Sequence, residues 1–278
     1  MNLRLFVHGK YSVIKSSIKP SFFGKLFSGI TEVYINNNCI ELTLTNGTKT
    51  NLDLRGVVDY PVLQTRLWGS TLQFITSKDE IKLKLLNTKD CKSQIANLNN
   101  FITSQLEDST NKAKNLLKHL THDEFLRDSS LPLLEQNIFC LINSYFRSET
   151  IWQENLSKQS IQWLNQAKEY FPLDKGANLL RADYEKRQLS LRSNFYDQIE
   201  SNPLTNEQRL SVIRDNDRNL VLAAAGTGKT SVMVAKALDL IDQNKTKPEQ
   251  ILILAYNNAA AKELKERVML RCKGCNMS

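Results

Sequence analysis

The sequence predicts a multidomain chain, α+β and then α/β, and three observations predict it. Period-two alternation around an Asn-Gly pair marks a β-rich stretch near the start. Apolar residues at helical spacing follow from about residue 91. Near the end, an apolar run leads through Gly-x-Gly-Lys-Thr into a helix, the pattern of a parallel-sheet unit built round a glycine-rich loop. The expected division is a small β-rich accessory domain at 1–90, a helical region at 91–200 with a helical hairpin, and an incomplete α/β domain at 201–278.

Composition sets the limits. The 278 residues are 41% hydrophobic and 24% charged, with mean hydropathy −0.37, which suits globular folding and disfavours disorder. Lys and Arg number 37 against 29 Asp and Glu, a balance that favours a polyanionic partner. Basic and acidic residues number 13 and 7 in 1–100, 12 and 14 in 101–200, and 12 and 8 in 201–278, so the positive charge sits at both ends. No apolar run reaches membrane-spanning length, and Lys19, Pro20 and Lys25 interrupt the early apolar stretch before a signal-peptide core forms. Five scattered cysteines (Cys39, Cys91, Cys140, Cys272, Cys275) suit a reducing compartment. The expectation is a cytoplasmic monomer with no membrane partner.

In the β-rich stretch, Cys39–Thr45 and Thr48–Leu54 alternate on either side of Asn46-Gly47, a hairpin signal whose type I′ turn needs positive φ at both central residues. Thr71–Thr76 and Glu80–Leu85 make a second pair around Ser77-Lys78-Asp79. Their Lys- and Thr-rich polar faces fit a solvated sheet surface or a nucleic-acid contact. Ile95, Leu98, Ile102 and Leu106 then form one helical stripe. Further helices are expected at 132–146, 149–170 and 177–199, with Leu173–Gly176 as a turn after Pro172 and the last two helices paired as an antiparallel hairpin. Trp152, Trp163, Tyr170, Phe171, Tyr184 and Phe195 read as core residues. Glu200–Leu204 is a polar boundary closed by Pro203.

The chemistry lies in Asn219–Ala235. A short apolar strand, Leu220–Leu222, enters Ala223-Ala224-Ala225-Gly226-Thr227-Gly228-Lys229-Thr230, and a helix follows. This is the pattern of a phosphate-binding loop, with Ala223 where Gly is more usual. Gly226 and Gly228 let the backbone curl so that its N–H groups face a phosphate, and the helix adds its positive N-terminal end. The Lys229 ammonium should reach the β- and γ-phosphates of a nucleotide, and the Thr230 hydroxyl should ligate Mg²⁺. Downstream, Ile251–Ala255 reads as a buried strand leading to a helix from Asn258.

Three segments resemble the superfamily 1 DNA helicases of the UvrD/Rep group, and within it the helicase IV type. Leu204–Gln208 looks like the family's Q motif, Ala223–Thr230 like motif I, and Leu254–Ala261 like motif Ia. The resemblance implies a RecA-like motor domain, ATP with Mg²⁺, 3′–5′ movement on single-stranded or partly duplex DNA, and a role in DNA repair. It also implies adenine recognition by Gln208 and contact of Tyr256, Asn257 and Asn258 with DNA. Departures are Thr205 where many members have Asn, Ala224 in place of a frequent Gly, and Ala259 where a basic residue is common. Thr205-x-x-Gln208 is also a capping box, so Gln208 has two readings. Only 17 residues follow Ala261, with Glu263 and Glu266 but no Asp-Glu at a strand end. Half an ATP site is therefore expected, and strand separation is not expected of this polypeptide alone. The alternative is a non-enzymatic adaptor for nucleic acid or RNA polymerase, using residues 149–199. Cys272 and Cys275 supply only two of the four ligands that structural zinc takes, and His119 and His122 read as solvated.

Overall fold

The computed structural model describes residues 16–35, 39–53, 57–76 and 80–272. They divide into two compact units. One holds the chain up to Asn115 together with Glu135–Glu169, and the other holds Leu116–Leu134 and everything from Tyr170 onward.

The first unit contains two antiparallel sheets. Strands β1 (Ser16–Ile18), β2 (Ile30–Ile35), β3 (Cys39–Leu44) and β4 (Lys49–Asp53) lie in the order β1-β2-β3-β4, with helix α1 (Phe22–Phe27) between the first two in sequence. Strands β5 (Val62–Arg66), β6 (Gly69–Ile75) and β7 (Glu80–Leu86) form a meander. Both expected hairpins are present, and the connection 77–79 lies outside the described residues. The Asn46-Gly47 turn differs from expectation: Gly47 has φ +78° and Asn46 is not in the left-handed region. Leu44 N–H donates to Thr48 O and Gly47 N–H to Leu44 O (both 2.9 Å). That is a type I turn closed by a left-handed glycine, which needs one positive φ where type I′ needs two.

Asn87 caps the long helix α2 (Thr88–Lys118), its Oδ1 accepting from the N–H groups of Lys89 and Asp90. Leu98, Ile102 and Leu106 are buried as the stripe predicted, and Thr110, Ala113 and Leu117 continue it. A π-helical turn at His119–Asp123 ends the helix. The segment expected as one helix over 132–146 is α3 (Leu131–Leu134), a π-helical turn and α4 (Cys140–Arg147). The next is broken into α5 (Glu149–Asn155) and α6 (Lys158–Ala167). The break has a distant cause: Glu107 on α2 accepts from Ser157 N–H and Ser160 Oγ, which holds Ser157 as the cap of α6. Asp59 is fully buried in this unit, where it accepts from Trp152 Nε1 (2.7 Å), Ser148 Oγ (2.8 Å) and Tyr60 N–H (2.7 Å).

In the second unit, α7 (Leu173–Leu191) begins at Leu173, so the expected turn 173–176 is its first turn. Arg192 separates it from α8 (Ser193–Gln198). Residues 149–169 and 173–198 belong to different units. Helices α9 (Asn206–Ile213), α10 (Lys229–Asp242) and α11 (Asn258–Arg271) complete the unit. Its core joins Tyr184, Tyr196 and Ile199 to Val212, Ile213, Val234, Ala235, Leu238, Leu264 and Val268.

Polar clamps hold α10 in that core. Asp239 is 2% exposed and accepts from Arg192 Nε (2.9 Å), Tyr196 OH (3.2 Å) and Gln243 Nε2 (2.6 Å). Lys236 donates to Val212 O (2.7 Å) and pairs with Asp215 (3.1 Å). Burial pushes the Lys236 ammonium below the ordinary lysine value against the opposing pull of Asp215. Burial acts to raise Asp215, but Lys236 and Arg127 outweigh it and hold the carboxyl below its usual range.

The expected parallel pairing is not formed. All strand ladders among the described residues are antiparallel, and neither Leu220–Leu222 nor Ile251–Ala255 is a strand. A strand exists by backbone pairing, and no described backbone pairs along these runs. Ile253 and Ala255 rest on the helical core, while Leu220, Leu222, Leu252 and Leu254 are 75–86% exposed.

Replacing Asp239 with Ala leaves a half-buried guanidinium with one remaining carboxylate, Asp242. Urea unfolding should show a loss of about 3 kcal/mol, much more than for Lys112→Ala at the exposed Lys112–Asp108 pair.

Candidate nucleotide site

The loop 223–228 joins an extended, exposed run to the first turn of α10. Its two glycines are the residues whose backbone requires them: Gly226 has φ +78° and Gly228 φ +85°. Gly228 is also the N-cap of α10, so the left-handed turn and the helix start fall on one residue. Ala224 is not in the left-handed region, so its methyl group imposes no strain there. Thr227 Oγ1 donates to Ala224 O (2.8 Å) and closes the loop on itself. Among the described residues, nothing accepts from the N–H groups of Ala225, Gly226, Thr227 or Gly228. Donors of this kind at a helix N-terminus are suited to receive an anion.

Lys229 folds back over the loop. Its Nζ donates to Ala223 O (3.0 Å) and Ala224 O (2.6 Å), two neutral carbonyls at the start of the loop. A phosphate in the loop offers a charged acceptor instead, and charge-assisted bonds are about twice as strong as neutral ones. Thr230, the second residue of α10, is half-buried beside it.

Gln208 is where the structure adds most. Its side chain completes the capping box of α9: Oε1 accepts from Thr205 N–H (2.9 Å), and Thr205 Oγ1 accepts from Gln208 N–H (3.4 Å). The same amide donates through Nε2 to Thr227 O (3.0 Å), so it latches the nucleotide loop to the start of α9. Each amide atom has used one of its two bonding positions. The cap and the reading of an adenine edge are therefore compatible in valence.

Sequence reasoning missed Arg267 on α11. It donates to Ser231 Oγ (2.9 Å), next to Thr230, and lies 2.9 Å from the carboxylate of Glu200. Its signal was only an arginine on a helix face, without a local motif. Tyr256 is fully exposed, Asn257 caps α11 by accepting from Ala260 N–H (2.8 Å), and Asn258 opens that helix. The three are consecutive and exposed. No group of three or more His, Cys, Asp or Glu that could hold a metal occurs among the described residues. The tail 273–278, with Cys275, lies outside them.

A glycine-bearing loop at a helix start, latched by a glutamine upstream, narrows the comparison with known proteins. Residues 204–278 match the UvrD/REP helicase N-terminal domain. DNA helicase IV of Escherichia coli is 43% identical over 88 residues, 32% of this chain and 13% of that protein. DNA helicase II of Rickettsia typhi is 40% identical over 76 residues, 27% and 12% of the two chains. ATP-dependent DNA helicase SRS2 of Saccharomyces cerevisiae is 40% identical over 78 residues, 27% and 7%. The matches to the first two span about an eighth of each relative's length. No solved structure matches the chain. Among the described residues, no helix is long and apolar enough to cross a membrane.

A Cβ on residue 228 would stand 2.6 Å from Gln208 Nε2, at a φ that L side chains rarely adopt. Gly228→Ala should cost about 1–2 kcal/mol for the backbone alone and expel the Gln208 amide from Thr227. Gln208→Ala should then add little, so the double variant loses less than the sum of the singles by about 0.5–1 kcal/mol. Denaturant titration of the four chains checks this.

Proposed function

We propose that residues 204–272 are the nucleotide-binding beginning of a RecA-like helicase motor of helicase IV type, one that uses ATP with Mg²⁺ to move 3′–5′ on single-stranded or partly duplex DNA. The supporting observation is the pair of left-handed glycines at the start of α10, inside a segment that matches the UvrD/REP helicase N-terminal domain. The loop N–H groups from Ala225 to Gly228 receive the phosphate oxygens. Lys229 exchanges the carbonyls of Ala223 and Ala224 for the β- and γ-phosphates, and the Thr230 hydroxyl faces the metal. Bound Mg²⁺ supplies charge neutralisation at the phosphates.

Gln208 reads the adenine edge through the second lone pair of Oε1 and the second N–H of Nε2. Because that amide also holds Thr227, base recognition and phosphate-loop position are coupled through one side chain. Tyr256 offers a fully exposed ring on which a DNA base can stack, an interaction worth about 1–3 kcal/mol, with Asn257 and Asn258 beside it. The motor of which these residues are the beginning works as a monomer in the cytoplasm, in DNA repair, and strand separation is not expected of this polypeptide alone.

Calorimetric titration with ATP and Mg²⁺ tests this reading. Lys229→Ala should weaken ATP at least tenfold without changing the unfolding midpoint. Gln208→Ala should reduce the preference for ATP over GTP. Equal ATP affinity in wild type and Lys229→Ala contradicts it.

A further inference from the structure

The first unit carries an aromatic surface that the nucleotide reading leaves unused. Helix α1 exposes Phe22, Leu26 and Phe27, and the β5–β6 turn exposes Leu67 and Trp68. The rings are ordered: Trp68 stacks on Phe23 at 5.0 Å and 22°, and Phe23 meets Phe22 edge-on at 5.5 Å. Large exposed apolar groups gathered in one place mark a contact surface and not a random scatter.

The backbone holds this surface rigid. Ser21 N–H donates to Leu85 O and Ser21 Oγ to Trp68 O (2.8 and 2.7 Å), which ties the start of α1 to β7 and to the turn. Gly24 lies so close to β7 that a Cβ would be 2.2 Å from Leu85 O. Gly69 turns the chain after Trp68 at φ +141°. A six-residue helix pinned at these points presents fixed rings and is not free to rotate into a bilayer surface.

The two ring-bearing segments are basic, and the carboxylate that meets them is Asp90, which accepts from Lys19 N–H (3.1 Å). Segments 16–31 and 60–75 contain Lys19, Lys25 and Arg66 and no Asp or Glu. All three cations are exposed. We infer that this surface binds single-stranded nucleic acid, with bases stacking on Trp68, Phe22 and Phe27 and the phosphates meeting Lys19, Lys25 and Arg66. Rings bind bases without regard to sequence, and cations beside them track the backbone. The site shares no residue with the nucleotide loop, so it stands whether or not ATP binds.

Trp68 reports on it directly. Trp152 and Trp163 are 0% and 9% exposed, against 58% for Trp68, so acrylamide quenching in the full chain reads mainly Trp68. Adding a sixteen-residue oligothymidylate (about the upper end of an OB fold's site size) should quench Trp68 emission and protect it from acrylamide. The affinity should fall with salt with a log–log slope of about −2, as for three phosphates on a single strand. Phe22→Ala and Phe27→Ala change exposed rings and should each weaken binding about tenfold by anisotropy of a labelled oligonucleotide. Nucleic acid bound only at the motor segment would leave Trp68 emission unchanged, and that result overturns the inference. So does a Trp68 blue shift with phosphatidylserine vesicles alongside no response to the oligonucleotide, or undiminished Trp68 quenching in both Phe variants.

Discussion

Helix α10 can present a usable N-terminus only if its body is fixed, and the buried carboxylate of Asp239 ties it to Arg192 and to Tyr196 of α8. Arg192, Tyr196 and Gln243 all converge on it. A charged group this deep is tolerable because both carboxylate oxygens are met by donors, one of them a guanidinium. The arrangement ties the break between α7 and α8 to the helix that follows the glycine loop. Residues 173–198 are thus part of the scaffold of the candidate nucleotide site, and the core they share with α9, α10 and α11 is one core.

On this base the loop itself is held lightly. Residues 219–227 are exposed, and the contacts that shape 223–228 are Thr227 on Ala224, Lys229 on Ala223 and Ala224, and Gln208 on Thr227. Such a loop can exchange internal bonds for bonds to an anion at small cost. The neighbouring apolar runs tell a different story. Leu220, Leu222, Leu252 and Leu254 stand in water, and each side chain would gain about 1.5–3 kcal/mol on full burial. Any backbone pairing along Leu220–Leu222 or Ile251–Ala255 would therefore stabilise the segment and complete the sheet that the P-loop resemblance implies.

What the sequence made legible was local. Asn46-Gly47 between alternating runs, the 95–106 stripe, the capping box of α9 and the left-handed glycines of the loop each follow from a few adjacent residues. What it hid was set by distant partners. Glu107 breaks the helix at Ser157 from fifty residues away, and Asp239 organises Arg192 from forty-seven. Helix α1 went unseen because its apolar residues face solvent, so no burial pattern marks it. The two apolar runs have the composition of strands, because composition reports what a segment can bury and says nothing of whether a partner backbone is present.

The most direct test of the account is the backbone amide spectrum of the isotopically labelled chain as ATP and Mg²⁺ are added. The N–H resonances of Gly226, Thr227 and Gly228 should move downfield together and saturably, with Asp239 and Leu238 unmoved. Shifts centred elsewhere, or none at these three amides at saturating ATP, would contradict the assignment of this loop as the nucleotide cradle.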